Sequence, residues 1–419
     1  MLLEFSCANH KSIRQKILFS TLAGKDNTNE EHLITCDGIR VLKSAVIYGA
    51  NGSGKSNFIQ AISFVRNLVL QSINNQPGEG ILQTPHKLES VLSDSEYSIQ
   101  FISDSVRYAF GFTLNQHIVK EEYLYYFPNG RKNKIYEREK EKFETGSKFN
   151  GKLETCKDVL KPNRLLLSCA ANFSAVAEIE KAFSFFRDEL VVYDPNSGDD
   201  QWMNYSLSQI HENPSIKNVV LSFMKGLDLD VRDIDVKIEQ RDFSQDHIQL
   251  PNFLSDEFKN KIMQEKIVSI RARVVYDRFE TNLITEESTG IKKLISFLCP
   301  LIDIMVKGKT LICDELETSM HEALVHGILK MFMESNVNEQ AQIIFTTHDT
   351  SLLDLDIFRR DQIWFTELKK EDRSTELFSL AEIKNVRKDK KFGKGYIAGQ
   401  YGAIPMLNLN FADIVSSLE

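Results

Sequence analysis

The sequence predicts an α/β protein with a mainly parallel sheet, an added antiparallel β layer and a mainly helical insertion. Three observations carry this expectation. A glycine-rich turn, "YGANGSGKSN" at 48–57, joins the apolar run "SAVI" to the helical stretch "NFIQAISFVRNLVL". Late in the chain two further apolar runs, "TLIC" and "IIFT", alternate with helices, the rhythm of a parallel sheet. Between 97 and 127 the apolar period switches to two, the mark of half-buried strands.

Composition sets the outer bounds. With 419 residues, 42% of them hydrophobic, the chain can bury a sizeable core divided among more than one subdomain. A formal charge of −8 excludes an overall cationic wrapper of nucleic acid and leaves local basic patches open. The six cysteines are scattered with no metal-binding spacing, as in a reducing cytoplasm. Glu4 within the first apolar residues argues against a signal peptide. The longest apolar run, "LISFLCPLIDIMV", is too short to span a bilayer and contains Pro300 and Asp303, so a soluble, cytoplasmic protein is expected.

Taken in order, "LLEFSCANHKSI" reads as a strand and a polar turn, followed by "IRVLKSAVIYG", the glycine turn and its helix to about Leu70. "SINNQPGEGILQTPHKLES" is a loop by its Asn, Pro and Gly content. Alternation at Tyr97, Ile99, Phe101 and at Tyr108, Phe110, Phe112, Leu114 predicts three or four antiparallel strands, with Asn129-Gly130 as a hairpin turn. Residues 160–284 are weakly periodic and are expected to form the helical insertion between an N-terminal part, 1–159, and a C-terminal part, 285–419. No heptad repeat marks a long coiled coil. Leu294, Leu298, Leu301 and Met305 then share one helical face, and Gly308 closes that helix.

The glycine turn has the form Gly49-x-x-x-x-Gly54-Lys55-Ser56 between a strand and a helix. In that context the glycines let backbone amides approach phosphate, the lysine meets the terminal phosphates and the serine hydroxyl is a Mg²⁺ ligand. "TLICDE" ends in two carboxylates where a parallel sheet binds ligands. Asp314 is the candidate for Mg²⁺ and Glu315 for general base toward an attacking water. His348 ends the next strand, where an imidazole caps the strand or bonds a terminal phosphate; the co-occurring pieces favour the phosphate. Ser288-Thr289-Gly290 opens a helix as a plain cap or as an anion site, two readings that are locally inseparable. "HEALVH" is no zinc motif, because its histidines are five residues apart.

In this order, "NHKSI", "YGANGSGKSN", "EESTGIKKL", "LICDELETSMH", "IIFTTHD", "RRDQIWFTE" and "GYIAGQYGAIP" resemble the ATP-binding-cassette ATPases of the SMC and RecF kind. The closer resemblance is to compact bacterial ATPases of anti-phage and abortive-infection systems, the OLD-like, RloA-like, AbiL-like and PARIS-like proteins. It implies an ABC-ATPase head that binds ATP and Mg²⁺ through Asn51, Gly52, Ser53, Gly54, Lys55, Ser56 and Asn57, with Ser56 and Asp314 on the metal. Glu315 and His348 would be the catalytic pair, Lys11 would approach the nucleotide and Gln83 would be a lid-loop glutamine. Ser288 and Gly290 would cap the ATP of a second copy, with Glu317 to His321 as the loop between the heads. The implied partners are a second copy, or more, and a separate nuclease or toxin effector.

Two departures qualify the resemblance: the signature is Ser-Thr-Gly rather than Ser-Gly-Gly-Gln, and Lys55 and Asp314 are separated by far more than in a transporter cassette; the stretch after His348, unlike OLD nucleases, shows no Toprim-like carboxylate cluster. Chemistry on nucleic acid is therefore expected in another chain. The alternative is a RecF- or SMC-like repair ATPase touching DNA directly, through the basic segment "RKDKKFGKGY". A transporter cassette is disfavoured by the signature and by the long separation of Lys55 from Asp314.

Overall fold

The computed structural model describes residues 1–147, 149, 151–242, 266–318, 320–334, 340–383 and 392–397. It divides into a larger unit, Met1–Tyr193, Met305–Glu317 and His326–Glu419, and a smaller one, Asp194–Ile304 and Thr318–Val325.

The larger unit contains two sheets. Strands β1 (Leu2–Ala8), β2 (Ile17–Ser20), β6 (Ser95–Ser103), β7 (Val106–Leu114), β8 (Val119–Tyr126), β9 (Asn133–Glu139) and β10 (Lys142–Thr145) form an antiparallel sheet in the order β10-β9-β8-β7-β6-β1-β2. This layer is wider than the three or four strands expected, because β10 extends one side and β1 and β2 join the other. Asn129 and Gly130, both at positive φ, make the turn between β8 and β9. Strands β3 (Leu33–Cys36) and β4 (Ile39–Leu42) form a separate hairpin.

The second sheet has the order β11-β15-β16-β5-β17-β18, from β5 (Ser44–Gly49), β11 (Leu190–Tyr193), β15 (Thr310–Cys313), β16 (Gln342–Thr346), β17 (Ile363–Leu368) and β18 (Thr375–Ser379). All neighbours pair in parallel except β17 and β18. Every residue of β5, β15 and β16 is buried, as expected of strands covered on both faces.

Helix α1 (Lys55–Gln71) buries Phe58, Ile59, Ile62, Val65 and Val69 in a core shared with both sheets. Phe58 packs on Phe5 and Phe19, and Phe19 lies 4.9 Å from Trp364 of β17, so aromatic rings bridge the two layers. Gln342 is a polar staple in the same region. Its amide donates to the carbonyls of Leu2 and Leu42, and its Oε1 accepts from the Leu2 N–H and the Thr310 hydroxyl, so both ends of a buried side chain are satisfied.

Helices α2 (Cys156–Val159), α3 (Leu166–Phe173) and α4 (Ala177–Ser184) belong to the larger unit together with β11. The boundary thus falls after Tyr193 rather than at the expected 159/160. The physical reason is β11, whose parallel pairing with β15 commits the preceding helices to the same core.

The smaller unit holds α5 (Pro195–Glu212), α6 (Pro214–Gly226) and most of α7 (Thr289–Val306), with an antiparallel sheet of β12 (Asp233–Asp242), β13 (Lys266–Val275) and β14 (Glu280–Asn282). The expected mainly helical insertion therefore also contains a sheet. Its signal was present: Ile234 pairs with Val274 and Val236 with Ala272, apolar positions alternating with charged ones. Helix α8 (Glu322–Glu334) begins in this unit and ends in the larger one. Among the described residues, no helix is long and apolar enough to cross a membrane. All six cysteines are free thiols. Apart from α9 (Phe392–Ile397), the expected features after residue 383, including half of "RKDKKFGKGY" and most of "GYIAGQYGAIP", lie outside the described residues.

Glu122 and Arg138 form an ion pair at 3.0 Å with both side chains fully buried. The carboxylate also accepts the first N–H groups of α3, from Leu166 and Leu167, and the Tyr136 hydroxyl, so it caps a helix while neutralising the arginine. Glu122→Ala should cost about 3–5 kcal/mol, because it strands a buried guanidinium and two helix N–H groups. Urea unfolding followed by circular dichroism checks this; a loss under about 1 kcal/mol would contradict it.

His10 is buried against the Tyr97 hydroxyl at 2.8 Å. Burial first, and the Lys11 charge second, lower its pKa from 6.5 to about 4. The unfolded chain takes up a proton that the folded imidazole refuses, so the stabilising contribution is present above pH 6.5 and is lost as pH falls toward about 4. His10→Phe should flatten that limb of the stability profile, read from melting temperatures across the same pH range.

Candidate functional site

Strand β5 ends at Gly49, and the loop that follows turns into α1 at Lys55. Two glycines are required by close approach. A Cβ on Gly49 would meet the Thr366 hydroxyl at 2.3 Å, and one on Gly54, at φ +106°, would meet the Thr375 hydroxyl at 2.1 Å. Side chains from β17 and β18 therefore brace the loop from behind. Thr366 Oγ1 shares a hydrogen bond with Ser53 Oγ, and Thr375 Oγ1 donates to the Ser53 carbonyl and bonds Ser12 Oγ. Ser12 in turn accepts from the Asn57 amide.

The loop and the ends of β15 and β16 enclose a cleft of about 580 Å³ lined by Asn51, Gly52, Gly54, Lys55, Ser56, Asn57, Glu315 and His348. Lys55 is 5% exposed, and its ammonium donates to the carbonyls of Gly49 and Ala50. Burial lowers its pKa; the charges of Asp314, Glu315 and Glu317 act in the opposite sense. A buried cation held by two neutral carbonyls, under a glycine cradle at a helix N-terminus, fits a bound phosphate chain.

Thr346, the last residue of β16, organises the acidic turn after β15. Its hydroxyl donates to Asp314 Oδ1 at 2.6 Å and accepts from the Glu315 N–H at 2.8 Å, and its carbonyl accepts from Leu316 N–H. This clamp holds Glu315 at φ +49°, a left-handed conformation that is uncommon for a residue with a side chain. Asp314 is buried beneath the turn, and its oxygen chemistry fits Mg²⁺. His348 Nε2 lies 3.9 Å from Glu315 Oε1. Burial and then the Lys55 charge lower the His348 pKa, while Glu317, Glu315 and Asp314 raise it; burial dominates, which favours the neutral imidazole.

Not every candidate reaches this cleft. The Ser53 side chain is buried against Thr366 rather than facing the opening. Lys11, at φ +52°, donates to Gln60 Oε1 and is absent from the lining; its neighbour Ser12 makes the tie to the loop instead. Gln83 is buried and donates to the Ser95 hydroxyl, away from the lining residues. In the smaller unit Ser288 Oγ accepts from the Ile291 N–H as a cap of α7, and Ser288, Gly290, Ile291, Met320 and His321 line a separate pocket of about 330 Å³. Of the expected inter-head loop, Glu317 belongs to the larger unit, Thr318 and 320–321 to the smaller, and Ser319 lies outside the described residues. Ser12, Thr346, Thr366 and Thr375 escaped sequence reasoning, because a threonine on a strand carries no local sign of the distant loop it will touch.

A glycine-cradled lysine sharing its cleft with the strand-end carboxylate Glu315, in a chain that matches an AAA-domain family model, marks a nucleotide-binding ATPase of the AAA class. The chain belongs to the family described as "AAA domain, putative AbiEii toxin, Type IV TA system", which matches residues 44–163 and 179–354. No curated protein matches the chain. Among solved structures it is similar to an SMC head bound to the C-winged helix domain of ScpA, with 14% identity, a TM-score of 0.42 and coverage of 90% of this chain and 97% of that one. The SMC head domain from Thermotoga maritima matches with 12% identity, a TM-score of 0.42 and coverage of 90% and 98%. Similarity at this level transfers no residue role.

Thr346→Val removes both hydroxyl bonds of the clamp and should slow ATP turnover about ten- to a hundredfold, the equivalent of about 1–3 kcal/mol from unsatisfied buried groups. Thr346→Ser should stay within about threefold of the native rate, since it keeps the hydroxyl. Steady-state phosphate release from the two variants makes the comparison; equal rates would remove Thr346 from the site.

Proposed function

We propose that this chain binds and hydrolyses ATP with Mg²⁺ and uses the closure of two such heads to hold or activate a separate effector, a nuclease or toxin, in bacterial anti-phage defence. The observation that carries the reading is the single cleft in which Lys55, Ser56, Glu315 and His348 face one another. The loop amides and Lys55 Nζ would hold the phosphates, and Ser56 and Asp314 would hold the metal. Bound Mg²⁺ supplies positive charge against the charge that develops on the phosphates. Glu315 would take the proton of the attacking water at a carboxylate oxygen, and the neutral His348 imidazole would donate a hydrogen bond to the terminal phosphate.

Ser288 and Gly290 would act on the nucleotide of a second copy, which makes a homodimer or an assembly of dimers the working form. The family's description, with its toxin of a type IV toxin–antitoxin system, supports a defence setting and a partner chain.

Glu315→Gln should lower turnover by about a hundredfold or more while ATP stays bound, because the base is lost and the phosphate cradle is kept. Tagged Glu315→Gln protein, recovered from its native host with ATP and Mg²⁺, should carry a stoichiometric effector chain identified by mass spectrometry. Recovery of DNA with repair proteins and no effector would sink the defence reading, and native-like turnover would sink the assignment of the base.

A further inference from the structure

We propose that Glu317 is a positioning residue for His348: its carboxylate, two residues beyond Glu315, holds the histidine's backbone and so sets where the imidazole stands in the cleft. The inference rests on the ATPase reading above. Glu317 Oε1 accepts the His348 N–H at 2.6 Å. The other two amides of this turn are spent elsewhere: Thr347 N–H donates to the Ile47 carbonyl, and Asp349 N–H to the Thr347 hydroxyl. Through the Glu317 carboxylate the His348 amide thus ties residues 347–349 to the acidic turn after β15, one step beyond the bond from the Leu316 N–H to the Thr346 carbonyl. The ladder between β15 and β16 has already ended at the Cys313–Phe345 pair, so the regular sheet does not supply that link.

Glu317 makes this bond at a cost. Its second oxygen, Oε2, is buried with no hydrogen-bond partner among the described residues, and its charge adds to those of Asp314 and Glu315 around Lys55. A carboxylate so placed is poorly suited to stabilising the fold and well suited to holding one amide. The chain also passes from the larger unit to the smaller immediately after Glu317, and the bond to His348 fixes the last residue before that passage.

Two variants and a double-mutant cycle separate positioning from a general structural role. Glu317→Ala should lower kcat about tenfold or more while the dissociation constant for ATP moves less than about threefold. Glu317→Gln, whose amide oxygen can accept the same N–H, should stay within about threefold of the native kcat. Glu317→Ala in a His348→Ala background should be no slower than His348→Ala alone, since the residue acts through the histidine. Independently of turnover, the His348 amide should exchange with solvent deuterium about tenfold faster or more in Glu317→Ala and at the native rate in Glu317→Gln. Additive losses in the double variant, a glutamine as slow as alanine, or unchanged amide exchange would each overturn the proposal. A native protein without ATP turnover would instead overturn the ATPase reading, and the exchange measurement would still decide the link.

Discussion

The parallel register of β15, β16 and β5 is the constraint on which the site depends. Cys313 pairs with Phe345, and Phe345 with Val46, so all three strands deliver their carboxyl ends to one edge of the sheet. Strand β16 lies between the other two, and its last residues serve both neighbours. Thr346 reaches toward the acidic turn after β15, while the Thr347 N–H bonds the carbonyl of Ile47 on the β5 side. A slip of one residue in β16 would turn Thr346 to the opposite face and release Asp314 and Glu315 together.

Around that edge the fold handles buried charge in two ways. Outside the cleft lining, the Arg138 guanidinium meets a carboxylate and three backbone carbonyls, and Glu122 spends both oxygens on the arginine, Tyr136 and the start of α3. This pairing is complete within the larger unit and ties a helix to a sheet. In the cleft, the hydrogen-bond acceptors of Lys55 among the described residues are neutral carbonyls, although three carboxylates are near enough to act on its pKa. A buried ammonium in that state has much to gain from an anion, and the glycine cradle leaves room for one.

The brace behind the loop connects distant parts of the chain. Ser12 lies after β1, Thr366 in β17 and Thr375 in β18, and all three converge on residues 49–57. The two sheets therefore share responsibility for the loop's shape, and the aromatic contacts of Phe19 with Phe58 and Trp364 hold those sheets on either side of α1.

By itself the sequence determined the elements and the chemistry that local pattern encodes. Glycine spacing marked the loop, apolar runs of four or five residues marked the strands, and the acids at 314 and 315 and the histidine at 348 followed directly from where those runs end. Alternation exposed most of the antiparallel layer, and it was equally present in β12, where charged residues between Ile234, Val236 and Ile238 disguised it as irregular chain. Only the tertiary structure decided which side chains complete the site. Ser53 turns inward to Thr366, Lys11 yields its place to Ser12, Gln83 is buried against Ser95, and Thr346 and Glu317 enter through bonds to the neighbouring turn. The physical reason is range: a turn or a strand is specified by residues a few positions apart, whereas these hydrogen bonds join groups that meet only after the sheets have packed.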